Sequence, residues 1–258
     1  YAWGSFGYDR DEITDANYNI SIIDPYRGMP YYLVDLNPSD WTNQYYNLRF
    51  RLSSLQRGNG KWLFGVSGSY QAATAAKQRD IRTLGRSMIL GINPGVVFVP
   101  APRHRVGANF SYTMLREDAN NRVVNNDQHY VYYVHRGLGV GDYVTGEGRY
   151  ATDYRGNILG GSLHSNYEGT RVNLMISGDY VYKVEDVDKG FTEAQFDGTV
   201  RDETWKGRIQ LYTKGRVSHH FDAGYTSRHI DGIEYLSRYN TELDPPTWEV
   251  VYKSVSST

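Results

Sequence analysis

Two histidine–aspartate pairs stand at a spacing that could move protons. His220 and Asp222 flank Phe221, and His229 and Asp231 flank Ile230, so in an extended strand each pair shares a face. An imidazole beside a carboxylate is the start of general acid–base machinery, and a surface hydrolase acting on lipid or peptide would use one. A protease would need a second carboxylate pair here, and no spacing in the chain fixes it. Glu185, Asp186 and Asp188, followed by Gly190 and Glu193, offer the oxygen ligands a hard cation prefers, but they fall short of a full calcium loop, and a solvated acidic loop is the plainer reading. His104, His129, His135 and His164 show no metal-ligand spacing. Cysteine is absent, which removes thiolate sites and disulfides. The expectation is no metal, no cofactor and no catalytic residue.

The elements that would position these groups announce themselves by a period of two. After the turn Arg57-Gly58-Asn59-Gly60, residues Trp62, Phe64, Val66, Gly68 and Tyr70 alternate with Gly65, Ser67, Ser69 and Gln71. Before that turn, Tyr46, Leu48, Phe50 and Leu52 oppose Asn47, Arg49, Arg51 and Ser53. Two arginines on one face of a strand need water or partners. The same grammar recurs with Phe110 and Tyr112 against Asn109 and Ser111, with Leu174, Ile176, Tyr180 and Tyr182 against Asn173, Ser177, Asp179 and Lys183, and with Trp205, Ile209 and Leu211 against Lys206, Arg208 and Gln210. Weaker forms at 2–9, 86–98, 156–167, 218–229 and 247–256 bring the expected total to about ten strands.

The connections sort into two kinds. Segments 57–60, 99–103, 167–170 and 214–217 are short and carry Gly or Pro, as hairpins require. Segments 11–44, 74–85, 118–155, 185–202 and 230–246 are long and polar. The two kinds alternate once 143–151 is read as a hairpin arm inside the third long loop. Short turns at one rim, long loops at the other and strands with one apolar face are the pattern of a transmembrane β-barrel, in which Tyr and Trp gather near the strand ends. Trp62, Phe98 and Tyr167 stand toward the short-turn rim, and Tyr70, Tyr112, Tyr180, Tyr182, Trp205 and Tyr225 toward the long-loop rim. The lipid-facing set would then be Trp62, Phe64, Val66, Tyr70, Phe110, Tyr112, Leu174, Ile176, Trp205 and Ile209. The lumen-lining set would be Asn47, Arg49, Arg51, Asn173, Asp179, Lys183, Lys206 and Arg208, and the first pair of histidine and aspartate would sit at the short-turn rim, away from any outer surface.

Composition narrows the partners. With 28 Lys+Arg against 29 Asp+Glu the chain has no field that would hold nucleic acid. No stretch approaches the ~20 apolar residues of a spanning helix, so a membrane crossing requires a closed barrel. The loop 11–44 holds Tyr26, Tyr31, Tyr32 and Trp41 among three prolines. Stiffened aromatic loops lose little entropy on docking, which makes these four the expected partner-binding residues. The competing expectation is that this loop folds over the mouth and packs on itself.

The runs Trp62–Tyr70 with Gly85–Phe98, and Thr204–Tyr225 with its Lys-Gly-Arg-Val turn, resemble an uncharacterised outer-membrane β-barrel family of Bacteroidota, encoded beside TonB-dependent transporters and surface lipoproteins. The resemblance lies in strand-and-turn texture over most of the chain. It implies a Gram-negative outer-membrane location, outer-membrane lipid around the protein, and a TonB-dependent transporter or surface lipoprotein as partner. Members are longer, with a signal peptide and further strands after the equivalent of Thr258, which implies that residues 1–258 are a single barrel domain or a segment of one. The expected function is a non-enzymatic accessory or pore component in nutrient or metal-complex uptake. A soluble or surface glycan-binding β module, with tyrosines as stacking platforms, is the alternative, and an outer-membrane hydrolase using His229 and Asp231 the third.

Overall fold

The computed structural model describes residues 1–55, 60–125, 127–128, 130–136, 141–145, 149–190, 195–244 and 246–258. The turn residues Arg57 to Asn59, His129 and Glu193 lie outside the described residues. Thirteen strands and no helix are present among those described: β1 (Ala2–Ala16), β2 (Leu33–Asp35), β3 (Ser39–Ser53), β4 (Trp62–Lys77), β5 (Arg82–Ala101), β6 (His104–Arg122), β7 (Val131–His135), β8 (Gly141–Thr145), β9 (Arg149–Glu168), β10 (Val172–Lys189), β11 (Gln195–Thr213), β12 (His219–Asn240) and β13 (Thr247–Ser257).

Ten of them form one antiparallel sheet in the order β1-β3-β4-β5-β6-β9-β10-β11-β12-β13, and β2, β7 and β8 form a second, three-stranded sheet. Each strand of the large sheet pairs with the next one of that sheet in sequence. The ten runs of alternating residues are therefore the ten strands of this meander. β1 and β13 stand at its two edges and do not pair with each other, so the sheet is open.

The strands run farther than the alternation indicated. β9 has 20 residues and β12 has 22, and most of the extra length lies at the long-loop rim. Residues 11–16, 39–44, 74–77, 82–85, 118–122, 149–155, 185–189, 195–202 and 230–240, which were expected in loops, are paired strand. The reason is that polar residues fill both faces there, which hides the period of two without weakening the backbone ladder. Segment 143–151 divides: 143–145 belong to β8 in the small sheet, and 149–151 begin β9.

Register ties the two faces together across the sheet, because directly paired residues share a side. One row reads Trp62, Phe98, Val106, Ser165, Ile176, Ile209 and Ala223, and another Tyr70, Leu90, Met114 and Asn157. Between these rows its large apolar side chains, Phe64, Ile92, Phe110 and Leu163 among them, are exposed, and this side is the bare face. On the opposite, covered face the segment 17–35 lies against the long-loop end of the strands. Two buried clusters form there, Ile22, Met29, Tyr31, Leu115, Tyr154, Val187 and Val200 in one, and Ile20, Leu33, Ile81, Tyr132 and Val134 in the other. The hydrophobic core thus occupies one end of one face.

Candidate functional site

The inserted segment is held by its own local turn first. Asn19 accepts from the backbone N–H groups of Ser21 and Ile22 and donates to the Ile22 carbonyl, an Asx turn that fixes the bend. Gly28 adopts φ +81°, a left-handed conformation that glycine enters without cost, and so reverses the chain after Arg27. Side chains of the sheet then receive the segment. Thr83 donates to the Ile20 carbonyl at 2.6 Å, the Ser21 and Tyr154 hydroxyls lie 3.0 Å apart, and the Ile23 N–H reaches Glu117 at 2.7 Å.

Arg27 is the centre of this plug. Its guanidinium, 8% exposed, pairs with Glu117 of β6 and lies 3.0 Å from Glu185 of β10, while it stacks 4.7 Å above the Tyr154 ring of β9. Lys183 completes the network, with Nζ 2.6 Å from Glu185 and donating to the Arg27 carbonyl. Two cations and two carboxylates balance, which is the condition under which buried charges persist. Burial raises the Glu117 carboxyl above its ordinary range, with Arg27 pulling the other way. Burial alone would lower the Arg27 guanidinium, but Glu117 and Glu185 outweigh it and hold it above its ordinary value. A second buried pair, Lys77 to Asp35 at 2.9 Å, ties β2 to β4. Burial raises Asp35 as well.

Tyr31 anchors the far end. It packs so closely on β11 and β12 that a Cβ built on Gly198 would stand 2.6 Å from its ring. Burial and the nearby carboxylates of Glu234 and Asp197 push its hydroxyl up to about 12. This corrects the expectation of a four-aromatic docking loop. Tyr31 and Trp41 are 4% and 5% exposed and cannot meet a partner, Tyr32 stacks on His135 with ring centres 5.0 Å apart, and only Tyr26, 94% exposed, stands free. The loop packs on the sheet because its aromatics find an apolar floor there.

The expected lumen-lining residues Asn47, Arg49, Arg51, Asn173, Asp179, Lys183, Lys206 and Arg208 all lie on the covered face, by register. They do not act as one group. Lys183 is built into the plug. Arg208 grips Asp222, its Nε 2.8 Å from Oδ1, and Gln210 donates to the same carboxylate at 3.0 Å. That engagement leaves the His220–Asp222 spacing without a free carboxylate. Asp179 stands opposite Lys206, and Arg51 lies 5.5 Å over the Trp3 ring.

The ten residues expected toward lipid share the bare face. From the Trp62 row to the Tyr70 row that face carries no Asp, Glu, Lys or Arg on β1, β3, β4, β5, β6, β9 or β10. Aromatic pairs mark both limits: Trp62–Phe98 and His104–Tyr167 at the short-turn end, Tyr8–Tyr46 and Tyr180–Trp205 toward the other, with ring centres 4.4 to 5.1 Å apart. Charges begin with Arg10, Arg86, Arg116, Asp118, Asp153 and Arg155, one or two rows further.

His229 and Asp231 also lie on the bare face, Nε2 to Oδ1 3.2 Å. The Ser257 hydroxyl donates to the same Oδ1 at 2.5 Å. Serine and histidine thus converge on the carboxylate, whereas a nucleophile requires histidine in the middle. The acidic run does not converge either. Glu185 points to the plug, while Asp186 and Asp188 point to the bare face, where they meet Thr199 and Arg155. No group of three metal-capable side chains occurs among the described residues. Arg27, Glu117, Tyr154 and the Lys77–Asp35 pair were not singled out from the sequence; the one available signal was charge at positions in register with apolar neighbours.

These features define an all-antiparallel β protein whose large sheet has a bare face with an uncharged band across seven strands and a polar face covered at one end by its own chain. The chain belongs to a family of unknown function (DUF6850), matched over residues 1–258. No curated protein and no solved structure matches it.

Proposed function

We propose that this sheet is the wall of a transmembrane β-barrel in a Gram-negative outer membrane, with the bare face toward lipid and the covered face toward the lumen. The observation that carries the reading is the band between the Trp62 and Tyr70 rows, uncharged on β1, β3, β4, β5, β6, β9 and β10, while β11 and β12 carry Arg201, Glu203 and Asp231 in the same rows. Its 8 residue steps, at ~3.3 Å each, give about 26 Å along the strand, which a tilt of ~40° shortens to a height of about 20 Å against the ~25 Å apolar band such barrels present. Tyr112 and Trp205 add support, since their polar tips bond Asn157 and Glu203 while their rings stay on the apolar face.

The function proposed is non-enzymatic: an accessory or plugged pore component in nutrient or metal-complex uptake, docking at its long-loop end to a TonB-dependent transporter or surface lipoprotein. The plug supports an accessory role over free passage, because a channel closed by two buried ion networks needs a partner to open it. The test is quenching of tryptophan fluorescence by brominated lipids after reconstitution. Trp62 and Trp205 should be quenched and buried Trp41 spared, which single-tryptophan variants resolve. A chain that stays monomeric and soluble without detergent would instead select the glycan-binding module.

A further inference from the structure

Beyond the uncharged band, the bare face carries arginines in an arrangement that a sheet does not favour by itself. Arg82 of β5 stands directly opposite Arg122 of β6. Like charges directly opposite destabilise an antiparallel pair. Arg86 lies four residues from Arg82 on the same side. These side chains border a cleft of about 460 Å³ lined also by Gln78, Leu84 and Asn120.

The nearby carboxylates do not neutralise the row. Asp80 lies 3.3 Å from Arg82, but its other oxygen is taken by the N–H groups of Val124 and Asn125, at 3.2 and 2.7 Å. Asp118 stands opposite Arg86. Arg122 has no carboxylate within 4.0 Å among the described residues, and no acidic residue lines the cleft. One guanidinium remains in excess, turned toward a cavity large enough for a ligand and too large for a bare ion.

We propose that this cleft binds a phosphate-bearing ligand of sugar size. A carboxylate's two oxygens saturate one guanidinium fork, whereas a phosphate monoester offers three acceptors and more than one negative charge, so it can serve Arg82 and Arg122 together. The amides of Gln78 and Asn120 suit hydroxyl groups on its carrier, and Leu84 gives an apolar contact. Binding removes the repulsion across the row, which accounts for a register that otherwise costs stability. The site stands on the cleft itself and does not depend on what the bare face of the band touches.

The test is calorimetric titration of the full chain with glucose 6-phosphate, with glucose as the neutral control, at low salt. Glucose 6-phosphate should bind and glucose should not. R82Q and R122Q should each weaken binding about tenfold, as expected for loss of one charge-assisted contact. R116Q, on the same face but outside the cleft, should stay within about twofold. Thermal unfolding of R122Q at or above the wild-type temperature shows that any loss is not misfolding. A parallel arm compares phosphorylated with enzymatically dephosphorylated lipopolysaccharide, and preference for the phosphorylated form alone assigns the ligand to the membrane surface. Equal affinity for glucose and its phosphate, equal weakening by R116Q, or no binding in either arm would overturn the proposal.

Discussion

Arg27 and Glu185 meet at 3.0 Å, Nε to Oε1, across 158 residues of chain, and this contact joins the plug to the centre of the sheet. The same guanidinium holds Glu117. Arg27→Ala would leave two buried carboxylates facing Lys183 alone. Removing one partner of a buried pair costs about 3–5 kcal/mol. The expected outcome is loss of that much unfolding free energy, with hydrogen exchange of residues 19–33 accelerated before that of the strands. Uniform acceleration over the whole sheet would show that the plug is not a separate unit.

Burial lifts the Glu117 carboxyl above its ordinary value, which gives the plug a pH dependence of definite sign. The folded state then holds a proton that the unfolded chain releases. Stability from this group is full below the ordinary glutamate range, near 4.5, and is lost as pH rises through the raised value. Plug protection, corrected for intrinsic exchange, should therefore fall as pH is raised above about 4.5 and through the raised value. Glu117→Gln should flatten that slope. An unchanged slope in the variant would move the effect to Asp35, whose carboxyl burial also raises.

The strands of the band were legible because each alternates apolar and polar residues, as Trp62 to Tyr70 does. Their extensions were not, because Arg116 and Glu117 lie past the last alternating residue and Asp118 and Ala119 fall in the expected loop, although all four pair in register with Arg155, Tyr154, Asp153 and Thr152. Polarity on both faces has two different sources there. On the covered face Glu117 answers Arg27, a residue 90 positions away. On the bare face the charges stand beyond the apolar band. The short turns were readable from Gly, Pro and segment length, whereas the expected long segments 74–85, 185–202 and 230–246 are largely strand, since β4 runs to Lys77, β5 starts at Arg82, β11 starts at Gln195 and β12 runs to Asn240. The plug was hidden, because nothing local to Tyr31 says that Gly198 leaves room for it.

That gap makes Gly198 a sensitive position. A methyl group there would stand 2.6 Å from the Tyr31 ring, so the ring or the strand must move. Gly198→Ala should cost about 1–3 kcal/mol, the usual range for overpacking. Gly178 and Gly207 meet nothing within 4 Å, and alanine at either should be nearly neutral. Tyr31→Leu combined with Gly198→Ala should recover part of the loss, since the smaller side chain returns the space. A double variant as unstable as the sum of the two singles would mean that Tyr31 and Gly198 do not constrain each other.

The membrane reading makes its sharpest claim at Phe110. This residue is half exposed and lies midway between the Trp62 and Tyr70 rows. In water a half-exposed phenylalanine on an open sheet tolerates arginine within about 0.5 kcal/mol, because the guanidinium remains hydrated and its methylenes cover the same neighbours. In a bilayer the same position lies near the midplane, where arginine costs about 2–4 kcal/mol on a barrel's outer surface. Thr42, also on the bare face but beyond the band and opposite Glu12, should accept arginine without loss in either medium. Unfolding of Phe110→Arg and Thr42→Arg from lipid vesicles by denaturant separates the two cases. A penalty confined to Phe110 supports a lipid-facing band, and equal small effects at both sites would place that face in water.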